Sequence, residues 1–211
     1  EALEAFEFET TAGAATVQMT PLGVAGLITP WNSDAGFICG KLAVALAAGC
    51  TAVIKPSEMS ALQTRIVTEA LRDAALPPGV FNIVTGRGET VGDTISRHPD
   101  VAKISFTGST NTGKAILRNA AESYKRVTLE LGGKSPTILL DDVDLAQAIP
   151  LVIQAGFMNS GQACVVGTRI LVPQSRKAEI ETALAQAVEA VKSGDPRDSA
   201  TDVGPMVSEK Q

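Results

Sequence analysis

Short apolar and β-branched runs alternate with longer segments of helical periodicity through the first 131 residues. The runs end in turns rich in Gly, Pro, Ser or Asn, and the segments between them are rich in Ala and Leu. A repeated strand–helix–strand order predicts a parallel sheet that is covered by helices on both faces. The predicted strands are residues 24–29, 51–55, 81–85, 102–107 and 126–131, and the predicted helices are residues 35–48, 60–75, 89–97 and 110–122.

The pattern restarts after the sequence LGGK, near Gly132 and Gly133. A strand is predicted from 135 to 140, a helix up to about 158, a strand at 169–172 and a last helix at about 175–191. The change of pattern predicts a second α/β domain that begins at residue 132. Residues 1–20 are polar and threonine-rich and are typical of an arm or linker. Because the chain starts at Glu1 and stops where a new element begins, we expect it to be a piece of a longer polypeptide.

Composition narrows the classes of function. The chain has 211 residues, of which 45% are hydrophobic and 19% charged, so it is expected to be globular. A net charge of −5 and the lack of a basic run with interleaved aromatic residues argue against nucleic-acid binding. The apolar stretches are too short to span a bilayer. Three cysteines cannot build a disulfide framework, which predicts a reducing, cytoplasmic location.

Acidic residues at 141, 142 and 144 allow two interpretations. Asp141, Asp142 and Asp144 could form a metal cluster, but the sequence favours the acidic first turn of a helix. Carboxylates there cap free N–H groups and interact with the helix dipole. We therefore predict no metal site.

A phosphate-binding loop is suggested by GSTNTGKA, which begins at Gly108, but the match fails at Ala115, which has no hydroxyl for Mg²⁺. The sequence GRGETVG, from Gly86, is a weak match to the dinucleotide fingerprint because it has one residue too many. The segment FTGST still runs from a predicted strand into a helix capped by Ser109 or Thr110, and such a helix start suits a pyrophosphate. An ordinary strand-to-helix turn is the alternative.

The sequence KPSE ends the second predicted strand. Lys55 and Glu58 would lie at the carboxyl end of the sheet, where parallel sheets bind ligands. The carboxylate could accept both hydroxyls of a ribose, and the lysine could reach a hydroxyl or a phosphate oxygen. A solvated turn is the alternative.

Cys164, in the loop FMNSGQACVVGTR, resembles an exposed nucleophile, and we expect Cys39 and Cys50 to be buried. The chain has one histidine, His98, in a polar turn, so another base is needed. Glu130 ends an otherwise apolar strand, where burial would make it a better general base; its alternative is an edge residue that faces solvent. Asn32, in TPWN, could donate to an oxyanion or could instead cap a helix.

Together, TPWN, KPSE, FTGST, LELGGKSP and GQAC, in this order, closely resemble the NAD(P)-dependent aldehyde dehydrogenase superfamily, over about residues 21–207. The resemblance implies a Rossmann-like dinucleotide-binding domain at 21–131 and a catalytic domain at 132–211 that is incomplete at its C-terminus. It implies Cys164 as nucleophile, Glu130 as general base, Asn32 as the side-chain half of the oxyanion hole and Lys41 as a lysine near that asparagine. The implied cofactor-binding residues are Ile28, Thr29, Pro30, Trp31, Lys55, Ser57, Glu58, Gly86, Gly108, Ser109, Thr112, Gly113 and Leu131.

The resemblance also implies a reaction. Cys164 would add to an aldehyde, NAD would accept a hydride, with NADP as a possible substitute, and Glu130 would activate water to release a carboxylic acid. The longer protein is expected to be a homodimer or homotetramer that needs no metal and takes an aldehyde, a small-molecule substrate whose identity the sequence leaves open. A coenzyme-A-acylating enzyme and a catalytically silent dinucleotide-binding fragment are the alternatives, and a cysteine hydrolase is disfavoured because it leaves KPSE and FTGST unexplained.

One segment departs from the family pattern. Ser33 and Asp34 follow TPWN where many members carry Phe-Pro, and Phe37 and Gly40 stand where bulky residues often line the aldehyde pocket. We expect these differences to reshape that pocket.

Overall fold

A computed structural model describes residues 3–211, which divide into two compact units, one that ends at Leu131 and one that covers Gly132–Gln211. The functional assignment of the two units stays a prediction. In chain order the elements of the first unit are β1 (Glu9–Ala12), β2 (Ala15–Gln18), β3 (Val24–Ile28), α1 (Asp34–Ala47), β4 (Thr51–Lys55), α2 (Ala61–Asp73), β5 (Phe81–Ile83), α3 (Asp93–Arg97), β6 (Val101–Thr107), α4 (Thr110–Ala121) and β7 (Arg126–Glu130).

Five of these strands form one parallel sheet in the order β5-β4-β3-β6-β7, which confirms the predicted fold class. The chain runs from β3 through β4 to β5 on one side and then crosses to β6 on the other side of β3. A sheet of this topology has a crevice outside the carboxyl ends of β3 and β6, where the direction of winding changes. The fold therefore sets a ligand-binding edge before any side chain is considered.

Both faces of the central strand β3 are buried, as its uninterrupted apolar sequence predicts. Ala25 and Leu27 pack in a core with residues of α1 and α2, while Ile28 packs in a second core with residues of α3 and α4. A Cβ on Gly26 would come within 2.7 Å of Ile95, so only glycine allows that helix to approach so closely. The two cores hold the strand ends in place.

Two elements differ from the sequence-based expectation. The arm at residues 1–20 contains the antiparallel hairpin β1–β2, whose residues are all exposed. Gly13, with a left-handed φ of 64°, opens its two-residue loop, so a Gly-containing turn between two strand-like runs was the missed signal. The helix predicted at 89–97 is a π-helical turn over Gly88–Gly92 followed by the short α3. Two glycines in five residues weaken a regular α-helix there.

The second unit contains β8 (Pro136–Ile138), α5 (Leu145–Phe157), β9 (Arg169–Leu171) and α6 (Lys177–Glu189). Strands β8 and β9 form a parallel pair, and Leu139, Val152 and Ile180 lie in its small core. Asp144 caps α5 by accepting from the backbone N–H of Ala146 at 2.9 Å, which confirms the helix-start interpretation for Asp144, whereas Asp141 and Asp142 lie in the turn that precedes the helix. None of the helices within residues 3–211 combines the length and apolar character that a membrane crossing requires.

Candidate active site

Parallel pairing brings the predicted residues of the first unit to one edge of the sheet. Thr29 follows β3, Lys55 ends β4, Thr107 ends β6 and Glu130 ends β7. Backbone hydrogen bonds link these ends across the strands, from Thr29 N to the Lys55 carbonyl at 3.1 Å and from Gly108 N to the Glu130 carbonyl at 3.0 Å. One edge therefore carries side chains from four neighbouring strands.

Lys55 and Glu58 form an ion pair at this edge, with 2.9 Å between Nζ and Oε2. The Lys55 side chain is only 4% exposed and also donates to the Pro56 carbonyl at 2.8 Å, whereas the Glu58 side chain is 54% exposed. Burial acts to raise the pKa of Glu58, but hydrogen bonds from its own backbone N–H and from Lys55 outweigh burial and lower it. A buried cation thus holds an exposed carboxylate in its charged form.

A cavity of about 600 Å³ opens beside this ion pair. Ser57 and Glu58 line it from the end of β4, Thr85 and Gly86 from the end of β5, and Thr64 from α2. Ser57 also caps the short 3₁₀ turn Glu58–Ser60 by accepting from the Met59 N–H at 3.3 Å. Gly86 has a φ of 148°, which favours glycine. The volume falls in the range of small-ligand sites.

The start of α4 has the form predicted for an anion site. Ser109 is its N-cap and accepts from the Thr112 N–H at 3.2 Å, while the exposed Thr112 hydroxyl lies 2.9 Å from the Ser109 hydroxyl. A Cβ on Gly108 would lie 2.6 Å from the Phe106 ring. A Cβ on the buried Gly113 would lie 2.8 Å from the Leu131 side chain. Both glycines are therefore needed for the approach of the helix start to the sheet.

Thr107 was missed by the sequence-based interpretation. It is buried at the end of β6, and its hydroxyl is the one buried side-chain polar atom of the described residues without a hydrogen-bond partner. An orphaned buried hydroxyl is costly unless a ligand or water completes it. The residue lies inside the quoted motif FTGST, but sequence alone does not reveal which threonine is left unpaired.

The loop 30–33 follows β3 and carries Pro30, Trp31 and Asn32, which are all half-buried, whereas Ile28 and Thr29 are buried. Asn32 is not the helix cap that was its alternative, because the N-cap of α1 is Ser33. The loop joins the central strand directly to α1, so its residues lie at the edge where the winding direction changes.

Lys41 and Glu130 lie within electrostatic range of each other. Lys41 Nζ donates to Ser105 Oγ at 2.8 Å, which ties α1 to β6. Burial lowers the pKa of Lys41 below its ordinary value of 10.5, the Glu130 charge opposes that change and the Lys103 charge adds to it. Ser105 is a further partner that the sequence did not indicate.

The expectation that Glu130 is buried is wrong for the residues that the structure describes. Glu130 is exposed because β7 is the last strand of the sheet and Glu130 is its final residue. This is the solvent-facing position that was the alternative interpretation.

Cys164 lies in the second unit, in a loop that follows an unusual turn. Asn159, Ser160 and Gly161 all have left-handed φ values, of 52°, 57° and 72°. Left-handed backbone at non-glycine residues is strained by about 1–2 kcal/mol each, and such strain clusters at functional sites. The turn is closed by the Gln162 side chain, which donates to the Asn159 carbonyl and accepts from the Val207 N–H at 2.9 Å.

Gly133 allows the cysteine loop to approach the LGGK segment. A Cβ on Gly133 would lie 2.8 Å from the Cys164 carbonyl oxygen. Cys164 is half-buried and Cys50 is buried. The expectation for Cys39 is wrong, because Cys39 is exposed although its neighbours Ile38 and Leu42 on α1 are buried. Within residues 3–211, no group of three or more His, Cys, Asp or Glu side chains is arranged to hold a metal ion.

The model of the aldehyde dehydrogenase family matches residues 2–211. A protein of Staphylococcus haemolyticus assigned as an aldehyde dehydrogenase is 48% identical over 210 residues, which cover 100% of this chain and 44% of the relative. A Staphylococcus epidermidis protein with the same assignment is 46% identical over 211 residues, again 100% of this chain and 44% of the relative. The chain therefore spans less than half the length of these relatives.

Two solved structures show the same fold. Aldehyde dehydrogenase C from Pseudomonas syringae, a cysteine-to-alanine variant in complex with NAD⁺ and octanal, is 45% identical with a TM-score of 0.94, over 98% of this chain and 43% of the other. Betaine aldehyde dehydrogenase from Staphylococcus aureus in complex with NAD⁺ is 38% identical with a TM-score of 0.95, over 99% of this chain and 43% of the other.

Proposed function

The chain belongs to the aldehyde dehydrogenase family, and we propose that the protein containing it oxidises an aldehyde to a carboxylic acid with NAD. The observation that carries the cofactor part is the cavity of about 600 Å³ beside the Lys55–Glu58 ion pair. Residues 21–131 would form the dinucleotide-binding domain, and residues 132–211 part of the catalytic domain.

The residues of the first unit fit NAD in size and in chemistry. The exposed, charged Glu58 can accept hydrogen bonds from ribose hydroxyls, and Ser57 and Gly86 line the same cavity. The N-terminus of α4, capped by Ser109, offers backbone N–H groups suited to a pyrophosphate. The unpaired Thr107 hydroxyl supplies another polar group at the edge. Ile28, Thr29, Pro30, Trp31, Lys55, Gly108, Thr112, Gly113 and Leu131 complete the proposed set.

NAD, when bound, supplies the two-electron acceptor that turns a thiohemiacetal into a thioester. Cys164 is the proposed nucleophile, whose sulfur adds to the carbonyl carbon while the carbonyl oxygen becomes an oxyanion. The Asn32 amide and the backbone N–H at the nucleophile donate hydrogen bonds to that oxygen. Removing one such donor typically costs about 10²–10³ in rate.

Glu130 is the proposed base for thioester hydrolysis. Its exposed carboxylate removes a proton from water, the hydroxide oxygen adds to the thioester carbon, and the Cys164 sulfur leaves as the acid forms. Lys41 lies in the electrostatic field of Glu130, and burial lowers the pKa of its ammonium group below the ordinary value of 10.5.

The aldehyde would enter along a face of α1 with little side-chain bulk. A Cβ on Gly40 would meet no atom of this chain within 4 Å, and Ser33 and Gly36 are also small. We propose a wide pocket that accepts long or bulky aldehydes, as the octanal complex of the Pseudomonas syringae neighbour suggests. A cytoplasmic homodimer or homotetramer is the proposed context, in line with the low cysteine count and the family.

The test is NADH formation by the full-length protein over aldehydes of increasing length, with and without coenzyme A. We expect turnover without coenzyme A and a carboxylic acid as the product. Turnover that requires coenzyme A and yields an acyl thioester would replace hydrolysis with acyl transfer. NAD binding without turnover of any aldehyde would support a silent dinucleotide-binding protein.

A further inference from the structure

Asp34 is the only acidic residue that is fully buried among the described residues, with 0% exposure at the start of α1. One carboxylate oxygen accepts from the Thr29 hydroxyl and the other from the Thr64 hydroxyl, each at 2.5 Å. Both distances lie at the short end of the range for O–H···O hydrogen bonds. The carboxylate is therefore tightly held between two elements, the end of β3 and helix α2.

Stability alone is a weak explanation for this arrangement. Both hydroxyl partners are uncharged, and a buried carboxylate is costly even when it is hydrogen-bonded. An acidic residue in the first turn of a helix usually faces solvent, caps N–H groups or interacts with the dipole. Asp34 is instead turned inward, and the N-cap Ser33 makes no side-chain cap hydrogen bond.

The bond to Thr29 closes the loop that carries Asn32. Thr29 precedes the four loop residues 30–33 and Asp34 follows them, so the hydrogen bond joins the two ends of the loop. The Thr29 backbone N–H is fixed in turn by the Lys55 carbonyl of β4 at 3.1 Å. The Asp34 carboxylate thus clamps a short loop onto the sheet.

The second bond links the same carboxylate to the proposed cofactor site. Thr64 lies on α2, is buried, and lines the cavity beside Glu58. One side chain therefore contacts both the loop of the proposed oxyanion donor and a wall of the proposed cofactor cavity. The sequence shows that Ser33 and Asp34 replace the Phe-Pro of many family members, but it does not show the hydrogen bonds of Asp34 to Thr29 and Thr64.

We propose that Asp34 is a positioning residue that fixes the Asn32 loop relative to the cofactor-cavity wall. This inference rests on the proposed function, in which Asn32 donates a hydrogen bond to the oxyanion. Because misplacing a catalytic group by about 1 Å can cost 10²-fold in rate, releasing the loop should lower kcat without removing any reacting group.

The test uses the full-length protein and Asp34→Asn, which keeps the shape but replaces one acceptor oxygen with an N–H donor. We expect kcat to fall about tenfold, with a smaller rise in KM for NAD. Thr29→Val should reproduce the fall in kcat, Thr29→Ser, which keeps the hydroxyl, should lose less kcat than Thr29→Val, and Thr64→Val should mainly raise KM for NAD. Asp34→Asn combined with Thr29→Val should lose no more than either change alone.

Trp31 gives a readout that needs neither substrate nor turnover. It is the one tryptophan of this chain and lies in the loop. Its fluorescence, corrected with a Trp31→Phe variant, should become more accessible to acrylamide in Asp34→Asn and Thr29→Val. The matched control is Asn119→Ala, which removes another buried network, with hydrogen bonds of 2.8 Å to Asp93 and 2.7 Å to Ser96, on the far side of the sheet. This control should lower Tm and leave Trp31 quenching and kcat unchanged.

The proposal is overturned if Asp34→Asn and Thr29→Val lower Tm as Asn119→Ala does but keep wild-type kcat and Trp31 quenching. Failure of the proposed function has a different signature, since Asn32→Ala would then retain wild-type turnover. Loss of kcat in Asn32→Ala with unchanged Asp34→Asn would leave the oxyanion role intact and remove only Asp34.

Discussion

The proposed site residues of the first unit lie near the carboxyl ends of hydrogen-bonded parallel strands. Cys164 of the second unit lies instead in a loop that follows a turn of left-handed backbone. The first unit fixes its residues with two apolar cores, one on each face of the sheet. The second unit has a two-stranded sheet and a single small core. Apolar side chains of the second unit are exposed at Ile138, Leu140, Leu151 and Leu171.

Under the proposed function, this difference places the cofactor cavity in the first unit and the nucleophile in the second. A cavity bounded by a well-covered sheet can bind its ligand with local residues, while the cysteine loop depends on backbone strain and on close glycine contacts. Substitutions in the second unit should therefore affect turnover far more than NAD affinity. Substitutions at the sheet edge should do the reverse, or should affect single steps of the reaction.

The largest effect is expected from Cys164→Ala in the full-length protein. Loss of the nucleophile should lower kcat by about 10⁴-fold or more, since single members of a catalytic group cost nearly as much as the whole group. NAD affinity, measured by calorimetry, should stay within about twofold because the cavity lies in the first unit. Cys39→Ser is the control for an exposed thiol and should keep full activity. Turnover in Cys164→Ala near the wild-type rate would assign the chemistry elsewhere.

Glu130→Gln, near the end of the first unit, should separate hydride transfer from thioester hydrolysis. The amide keeps the shape but cannot accept a proton, so steady-state turnover should fall by about 10²–10⁴-fold. A single-turnover experiment should still give a burst of NADH, with acyl-enzyme visible on Cys164 by intact mass. Loss of both phases would indicate that Glu130 mainly activates the thiol. Wild-type turnover without a trapped acyl group would support the coenzyme-A alternative.

A smaller, substrate-dependent effect is expected at Gly40. A Cβ on Gly40 would meet no atom of this chain within 4 Å, so Gly40→Trp adds bulk at an exposed position of α1, and replacing a helical glycine should not lower stability. We expect kcat/KM for long or branched aldehydes to fall about 10- to 100-fold, with little change for propanal. Gly40→Ala is the small control and should resemble wild type. An equal loss for all aldehydes would mean that this face does not line the pocket.

The repeated strand–helix–strand order predicted the parallel sheet, and motif order predicted the family. They placed Lys55, Glu58 and Ser109 correctly because each follows directly from the end of a strand. They did not find the Asp34–Thr64 and Lys41–Ser105 contacts, which join residues 30 and 64 positions apart. They also did not find the unpaired Thr107 hydroxyl, because a hydrogen bond that is not made leaves no trace in the sequence. Burial of Glu130 and Cys39 was misjudged because it depends on which strand is at the sheet edge and on which helix face is covered.

The smallest effect concerns Glu58, and it tests whether the sheet edge acts through charge. A carboxylate beside a ribose disfavours a 2′-phosphate, so the full-length protein should prefer NAD to NADP. Glu58→Gln should reduce that preference by about fivefold to tenfold, as expected for removing one like-charge contact near the surface.

Because the pKa of Glu58 is held below its ordinary value of 4.5, the carboxylate stays charged at every pH above that value. The NAD/NADP ratio of kcat/KM should therefore be flat from about pH 7.5 to 9 in both proteins, a range in which the 2′-phosphate, with a second pKa of about 6, is also fully charged. Any stability that Glu58 contributes through Lys55 is likewise present above its unfolded pKa and is lost as the pH falls through the lower folded value. That contribution is small because Glu58 is 54% exposed. A clear NADP preference in wild type, or a ratio unchanged by Glu58→Gln, would show that the edge selects its cofactor by another contact.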